Sequence, residues 1–187
     1  MKDIIKMGAV LMIICLCAGL ALGSVYQVAW PKIEEQRRLA RERALKEVMP
    51  EAQSQREVTN ALGETYYEGL VDNVVVCYAK ETSVKGYGGA IELMVGITND
   101  DAVCGVKVLS HTETPGLGAK IGEIKYGDEK PWFLEQFYLK ALAGLQVVKH
   151  PSEEQIEAIT GATISSEAVT SGVKQILQEI IKLEETK

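Results

Sequence analysis

Basic clusters, histidines and ordered cysteine spacings are what this sequence has little of. Lysine and arginine total 20 against 26 acidic residues, a net charge of −6. No basic run is interleaved with aromatics, which excludes the electrostatic footprint of a nucleic-acid binder. The two histidines, His111 and His150, have no companion ligands nearby in sequence, so a histidine-based metal site is not expected. The four cysteines, Cys15, Cys17, Cys77 and Cys104, match no zinc or iron–sulfur spacing. No lipobox-type residues precede Cys15 or Cys17, which disfavours a lipid-anchored cysteine. Cys77 and Cys104 could pair, but each also reads as a small buried hydrophobe, and that reading is preferred. No Gly-x-Gly-x-x-Gly stands between a strand and a helix, so no direct NAD site is expected.

Charge is missing altogether from Met7 to Trp30. At about 1.5 Å per helical residue this run reaches about 35 Å, enough for a hydrocarbon core of roughly 30 Å. Lys2 and Lys6 precede it, and Tyr26 and Trp30 stand at its far end, where an aromatic belt would sit. A cleaved signal peptide is the rival, since Ala21-Leu22-Gly23 is small-x-small. The apolar run continues past that point, which favours an uncleaved single-pass anchor in the lipid bilayer. Lys32, Arg37, Arg38, Arg41 and Arg43 follow the span, so the positive-inside count would hold the remainder in the cytoplasm.

The length of 187 residues suits one domain plus an appendage. We divide the chain into a leader and anchor (1–30), a charged helical stalk or linker (31–60) and a domain (61–187). In the stalk, Glu34–Arg38 and Glu42–Lys46 are i,i+4 pairs in the favourable order, and Pro50 ends the helix. A solvated spacer is preferred to a partner-binding helix. Val74–Tyr78 reads as a short buried strand from its β-branched content. Ile91–Ile97, the turn Thr98–Asp101 and Ala102–Leu109 form an antiparallel hairpin. Pro131 opens a helix whose aromatics, Trp132, Phe133 and Phe137, are assigned to the core. The class is α+β, a mainly antiparallel sheet flanked by helices.

Two glycine-bearing segments carry the chemistry. After Gly86-Tyr87-Gly88-Gly89, the hairpin delivers Thr112-Glu113-Thr114-Pro115-Gly116-Leu117-Gly118-Ala119-Lys120. Pro115 fixes φ, and Gly116 and Gly118 carry no side chain, so backbone amides could approach a ring or a phosphate. Taken alone, the segment is an ordinary surface turn. The second segment is Thr160-Gly161-Ala162-Thr163-Ile164-Ser165-Ser166, followed by an amphipathic helix with Val169, Val173, Ile176, Leu177, Ile180 and Ile181 on one stripe. Ser165 or Ser166 is expected to cap that helix, with Glu167 in its first turn. A small-residue loop feeding a helix N-terminus offers free N–H groups to an anion such as phosphate.

Together these segments resemble covalently flavinylated FMN-binding domains. Thr-Gly-Ala-Thr-x-Ser is similar to that family's S/T-G-A-T-x-S/T signature, and the earlier segment to its G-Y-G-G and E-T-P-G-L-G elements, in the right order. Such domains occur in the G subunit of the Rnf electron-transport complex and in the C subunit of the sodium-translocating NADH:quinone reductase. The short length and the stalk point to the G-subunit branch. The resemblance implies FMN held by a phosphoester on Thr163, attached by a dedicated flavin transferase. It implies an electron-carrying role, without a complete active site, in a redox-driven ion translocase of the bacterial cytoplasmic membrane. The partners would be the other membrane and peripheral subunits, and the domain would face away from the cytoplasm, against the charge count. Candidate cofactor contacts are Thr160, Gly161, Ala162, Ser165, Ser166, Glu113, Thr114, Gly116, Leu117, Gly118 and Lys120. Glu113 and Thr114 would hydrogen-bond the cofactor, and Lys120 would place charge near its phosphate or ring. Two departures stand out. Ala90 occupies a position where relatives often carry Pro. Glu157 or Glu154 stands where an Asp commonly precedes the threonine, and Glu157 is expected to be tolerated. A membrane-anchored assembly or sensor module with a vestigial flavin site is the alternative from a different class.

Overall fold

The computed structural model describes residues 2–60, 63–124, 127, 130–150 and 152–185. The chain forms two compact units, Met1–Arg41 and Glu42–Lys187. A single helix, α1, runs Lys2–Val48 and contains Pro31, so anchor and stalk are one element and not two segments meeting at the proline. Within the first unit the apolar side chains from Ile4 to Trp30 lie exposed. Mean hydropathy over the most apolar 18 residues of the helix is 2.4, long and apolar enough to cross a membrane. Tyr26 and Trp30 stack with ring centroids 5.4 Å apart. Arg38 is bonded to Glu35 one turn earlier, Nη2 to Oε1 at 2.8 Å.

The second unit is built on a five-stranded antiparallel meander: β1 (Ser54–Thr59), β2 (Thr65–Val71), β3 (Val74–Lys85), β4 (Ala90–Thr98) and β5 (Val103–His111), in that spatial order. The expected hairpin is β4–β5, with Met94 opposite Lys107 and Val95 opposite Val106. β3 is 12 residues long, well beyond the expected Val74–Tyr78, because it pairs along its length with β4 as far as Lys85 opposite Ala90. The linker expected over 31–60 enters this unit: Ser54–Thr59 is an edge strand, and Ala44, Leu45, Val48 and Met49 are buried.

Alternation along β4 sends Ile91, Leu93, Val95 and Ile97 to one face of the sheet. There they meet Val169, Val173, Ile176, Leu177 and Ile180 of α3 (Thr163–Glu185), whose stripe is buried as its periodicity requires. Phe133 and Phe137 join this core around α2 (Trp132–Glu135), which is only four residues long, with Pro131 as its N-cap. β6 (Val147–Val148) and β7 (Ile156–Glu157) form a short parallel pair before α3. On the opposite face Cys77, Ala79, Met94 and Cys104 pack against the last turns of α1. Gly96 and Gly105 make that approach possible, since a Cβ on Gly96 would lie 2.1 Å from the Val48 carbonyl oxygen and one on Gly105 2.7 Å from Val48 Cα. Both cysteines are free thiols, and Cys104 Sγ donates to Val48 C=O at 3.0 Å. The hydrogen bond with Cys77 and burial push the Cys104 thiol up, so it stays protonated and inert.

Candidate functional site

The start of α3 decides which hydroxyls are available. Gly161 turns the chain at φ 79°, a conformation glycine adopts without a Cβ penalty. The first intrahelical bond runs from Ser166 N–H to Ala162 C=O at 3.0 Å, leaving the amides of Thr163, Ile164 and Ser165 ahead of the ladder. The serines do not cap the helix, because both fall inside its first turn and are turned inward. Ser166 Oγ accepts from Ile159 N–H and donates to Ala162 C=O, each at 3.0 Å. Ser165 Oγ donates to Glu113 Oε2 at 2.7 Å. Glu167 lies one residue beyond the first turn, which holds no acidic side chain. The Thr163 hydroxyl, half-buried, makes no hydrogen bond among the described residues.

Glu113 is buried and accounts for one glycine in each of the two earlier elements, Gly86 and Gly118. Its Oε1 accepts from Gly88 N–H at 3.0 Å while Oε2 holds Ser165. A Cβ on Gly86 would lie 2.1 Å from Oε1, and one on Gly118 would lie 2.1 Å from Oε2 and 2.7 Å from Ser165 Oγ. Gly86 and Gly118 therefore make room for a carboxylate. The loop amides are also engaged: Leu117 and Ala119 N–H close on Thr114 C=O, and Lys120 N–H on Leu117 C=O. Other amides carry no such closure among the described residues: Gly116 and Gly118 in the loop, and Thr163, Ile164 and Ser165 at the helix start.

Between these segments lies a cleft of about 420 Å³, lined by Tyr87, Glu113, Thr114, Leu117, Gly118 and the run Gly161–Ser165. Thr163 and seven of the candidate contacts meet there. Thr160 and Lys120 instead line a neighbouring cavity of about 540 Å³ with Glu123, Trp132 and Glu157. Ser166 is fully buried, and Gly116 sits at an exposed bend with φ 76°. Two rim residues escaped the sequence reading. Tyr87 is 72% exposed and Ile164 53%, and with Leu117 they give the cleft an apolar edge. Ile164 had a usable signal, since it is apolar yet lies off the stripe that α3 buries.

Comparison with known proteins places this architecture. Residues 86–178 match the FMN-binding domain model. The G subunit of the proton-translocating ferredoxin:NAD(+) oxidoreductase complex of Clostridium ljungdahlii is 34% identical over 171 residues, covering 91% of this chain and 88% of the relative. The chain belongs to the Rnf G-subunit family. The corresponding G subunit of the Na(+)-translocating complex of Acetobacterium woodii is 33% identical, with 95% of this chain and 91% of that one covered. Among solved structures, the C subunit of the Na(+)-translocating NADH-quinone reductase of Parabacteroides distasonis superposes with a TM-score of 0.57 at 20% identity, over 81% of this chain and 95% of that one. At that identity the likeness speaks for the fold: the α+β arrangement of antiparallel sheet and helices is shared.

The cleft of this G-subunit chain fits a flavin mononucleotide in the chemistry of its donors. Three amides at a helix start and an uncommitted threonine hydroxyl suit a phosphate. The exposed Tyr87, Leu117 and Ile164 offer apolar surface to a planar ring. The cation expected beside it, Lys120, lines the adjoining cavity, so phosphate charge in the cleft would meet amide dipoles first.

Proposed function

We propose that this chain is the flavin-carrying electron-transfer subunit of a membrane-bound, ion-translocating ferredoxin:NAD oxidoreductase, with FMN joined through its phosphate to Thr163. The observation that carries the attachment is the sorting of hydroxyls. Of the hydroxyls in the segment Thr160–Ser166, Ser165 and Ser166 are committed to internal hydrogen bonds, Thr160 is exposed beside the other cavity, and Thr163 lines the cleft with no hydrogen bond among the described residues. Thr163 is an attachment point and not a catalytic nucleophile. The flavin, when bound, supplies the redox chemistry.

The residues of the chain hold, orient and shield. A phosphodiester at Thr163 carries one negative charge against the positive end of α3, a contact worth about 0.3–1 kcal/mol. Tyr87, Leu117 and Ile164 cover ring surface and exclude water on that side. A covalent tether keeps the cofactor from being lost by dilution outside the cytoplasm. Pocket charge then tunes the potential, and for a one-electron couple each 59 mV is about a factor of ten in equilibrium constant. NAD reduction is left to another subunit. The membrane and peripheral subunits of the complex are the expected neighbours, with α1 as the single-pass anchor in lipid.

Expression with a flavin transferase tests the assignment. The denatured band should fluoresce yellow-green, and the peptide spanning Thr163 should gain the mass of FMN less one water. Thr163→Ala should abolish both signals. A colourless wild-type band would overturn the reading and favour a vestigial flavin site. Pull-down of the full chain should recover other membrane redox subunits, and recovery of none would count against the assembly.

A further inference from the structure

Glu113 stands where three segments of the chain meet, and each of its carboxylate oxygens accepts a hydrogen bond within the protein. Gly88 N–H on the β3–β4 turn occupies Oε1, and the Ser165 hydroxyl on α3 occupies Oε2. Glu113 is 5% exposed and Ser165 1%. Burying an acid of this kind is unfavourable unless its oxygens are satisfied, and here two glycines are kept free of side chains to admit it. Such a group is fixed by the protein's own donors. It is well placed to lock the first turn of α3. Ser165 lies two residues beyond Thr163 on that turn, so whatever fixes Ser165 also holds the backbone from which the Thr163 side chain projects.

We propose that Glu113 is a positioning residue for flavin attachment: by holding Ser165 it fixes the first turn of α3 and aims the Thr163 hydroxyl into the cleft. The proposal rests on Thr163 as the attachment point. In that step the Thr163 hydroxyl gives up its proton and its oxygen forms a bond to the flavin phosphorus. The bond from phosphorus to the outgoing group breaks, and that group leaves with the electron pair and a proton. Nothing is oxidised or reduced, and the chain gains FMN less one water. The co-reactant is a flavin nucleotide carrying a leaving group on its phosphate, delivered by the transferase. Glu113 touches neither reacting atom and acts through Ser165.

The test uses the full-length chain in detergent, with a flavin transferase and its flavin donor, followed by mass spectrometry under single-turnover conditions. Failure of the wild type to gain mass would sink the Thr163 assignment and is distinct from every outcome below. Glu113→Gln keeps the shape of the side chain but replaces one acceptor with a donor, so Gly88 and Ser165 can no longer both donate to it. Its attachment rate constant should fall about tenfold, with the final extent and the half-saturating donor concentration unchanged. Ser165→Ala should show the same split and carries the test alone if Glu113→Gln does not fold. The double variant should be no slower than the slower single one, because the two side chains act as one strut. Slowing of less than threefold, losses that multiply in the double variant, or a reduced extent at an unchanged rate would each overturn the proposal.

Discussion

Lys80 shows how one side chain ties the sheet to its covering helix. It projects from β3 and is buried, and its ammonium donates to Glu179 on α3 at 2.7 Å and to Glu64 at 3.2 Å. Burial pulls the ammonium down, but its hydrogen bonds to Glu179 and Glu64 outweigh it and hold Lys80 above the ordinary lysine value. Hydrogen bonds from Lys80 and Asn60, with the charge on Lys80, hold Glu64 below the usual carboxylate range. The raised Lys80 contributes stability that is complete below the unfolded lysine value of about 10.4 and is lost as pH climbs through the folded one. The lowered Glu64 contributes above the unfolded value of about 4.3 and loses its share as pH falls through the folded one. Lys80→Met should therefore destabilise most between those limits, and the deficit should narrow toward either extreme. Through the Glu179 contact the loss is about 1 kcal/mol or less, since that carboxylate is partly solvated. Denaturant melts across pH measure it, and a pH-independent deficit would contradict the ion-pair account.

Among the elements, the contact between the end of α1 and the sheet is the most sensitive to volume. Val48 lies over Gly96 and Gly105, and the Cys104 thiol closes the joint through the Val48 carbonyl. Gly96→Ala would set a methyl group 2.1 Å from a backbone oxygen, which side-chain rotation cannot relieve. The expected cost is about 1–3 kcal/mol, typical of overpacking. Chemical denaturation of the full chain in detergent should show it, while flavin attachment at the distant end of α3 continues. An Ala variant as stable as the wild type would mean that the helix end does not sit on the sheet. Gly86 and Gly118 follow the same steric rule, but there the space is taken by Glu113 and not by a helix.

For the whole molecule, charge and family point in opposite directions. Five cations from Lys32 to Arg43 follow the apolar run, which the positive-inside rule places in the cytoplasm. The resemblance to tethered-flavin domains implies the other side, and we propose that the second unit lies outside the cytoplasm. Protease added to intact cells should then digest the domain and leave a membrane-protected N-terminal fragment. Full protection until the cells are lysed would restore the charge-based topology.

Periodicity and two short motifs were enough to read the long apolar helix, the β4–β5 hairpin, the buried stripe of α3 and the FMN-binding family from the chain alone. Each of these depends on neighbours a few residues apart, where backbone geometry sets which side chains share a face. Distant segments had to meet before the rest could be decided. That Ala44–Met49 belongs to the core follows from glycines on β4 and β5, some fifty residues later in the chain. That Ser165 is held by a buried Glu113, while Thr163 on the same turn makes no hydrogen bond among the described residues, depends on a 2.7 Å bond between residues 52 apart in sequence. A motif names the residue types that gather at a site, whereas only packing determines which of their polar atoms are already satisfied and which remain free to meet a ligand.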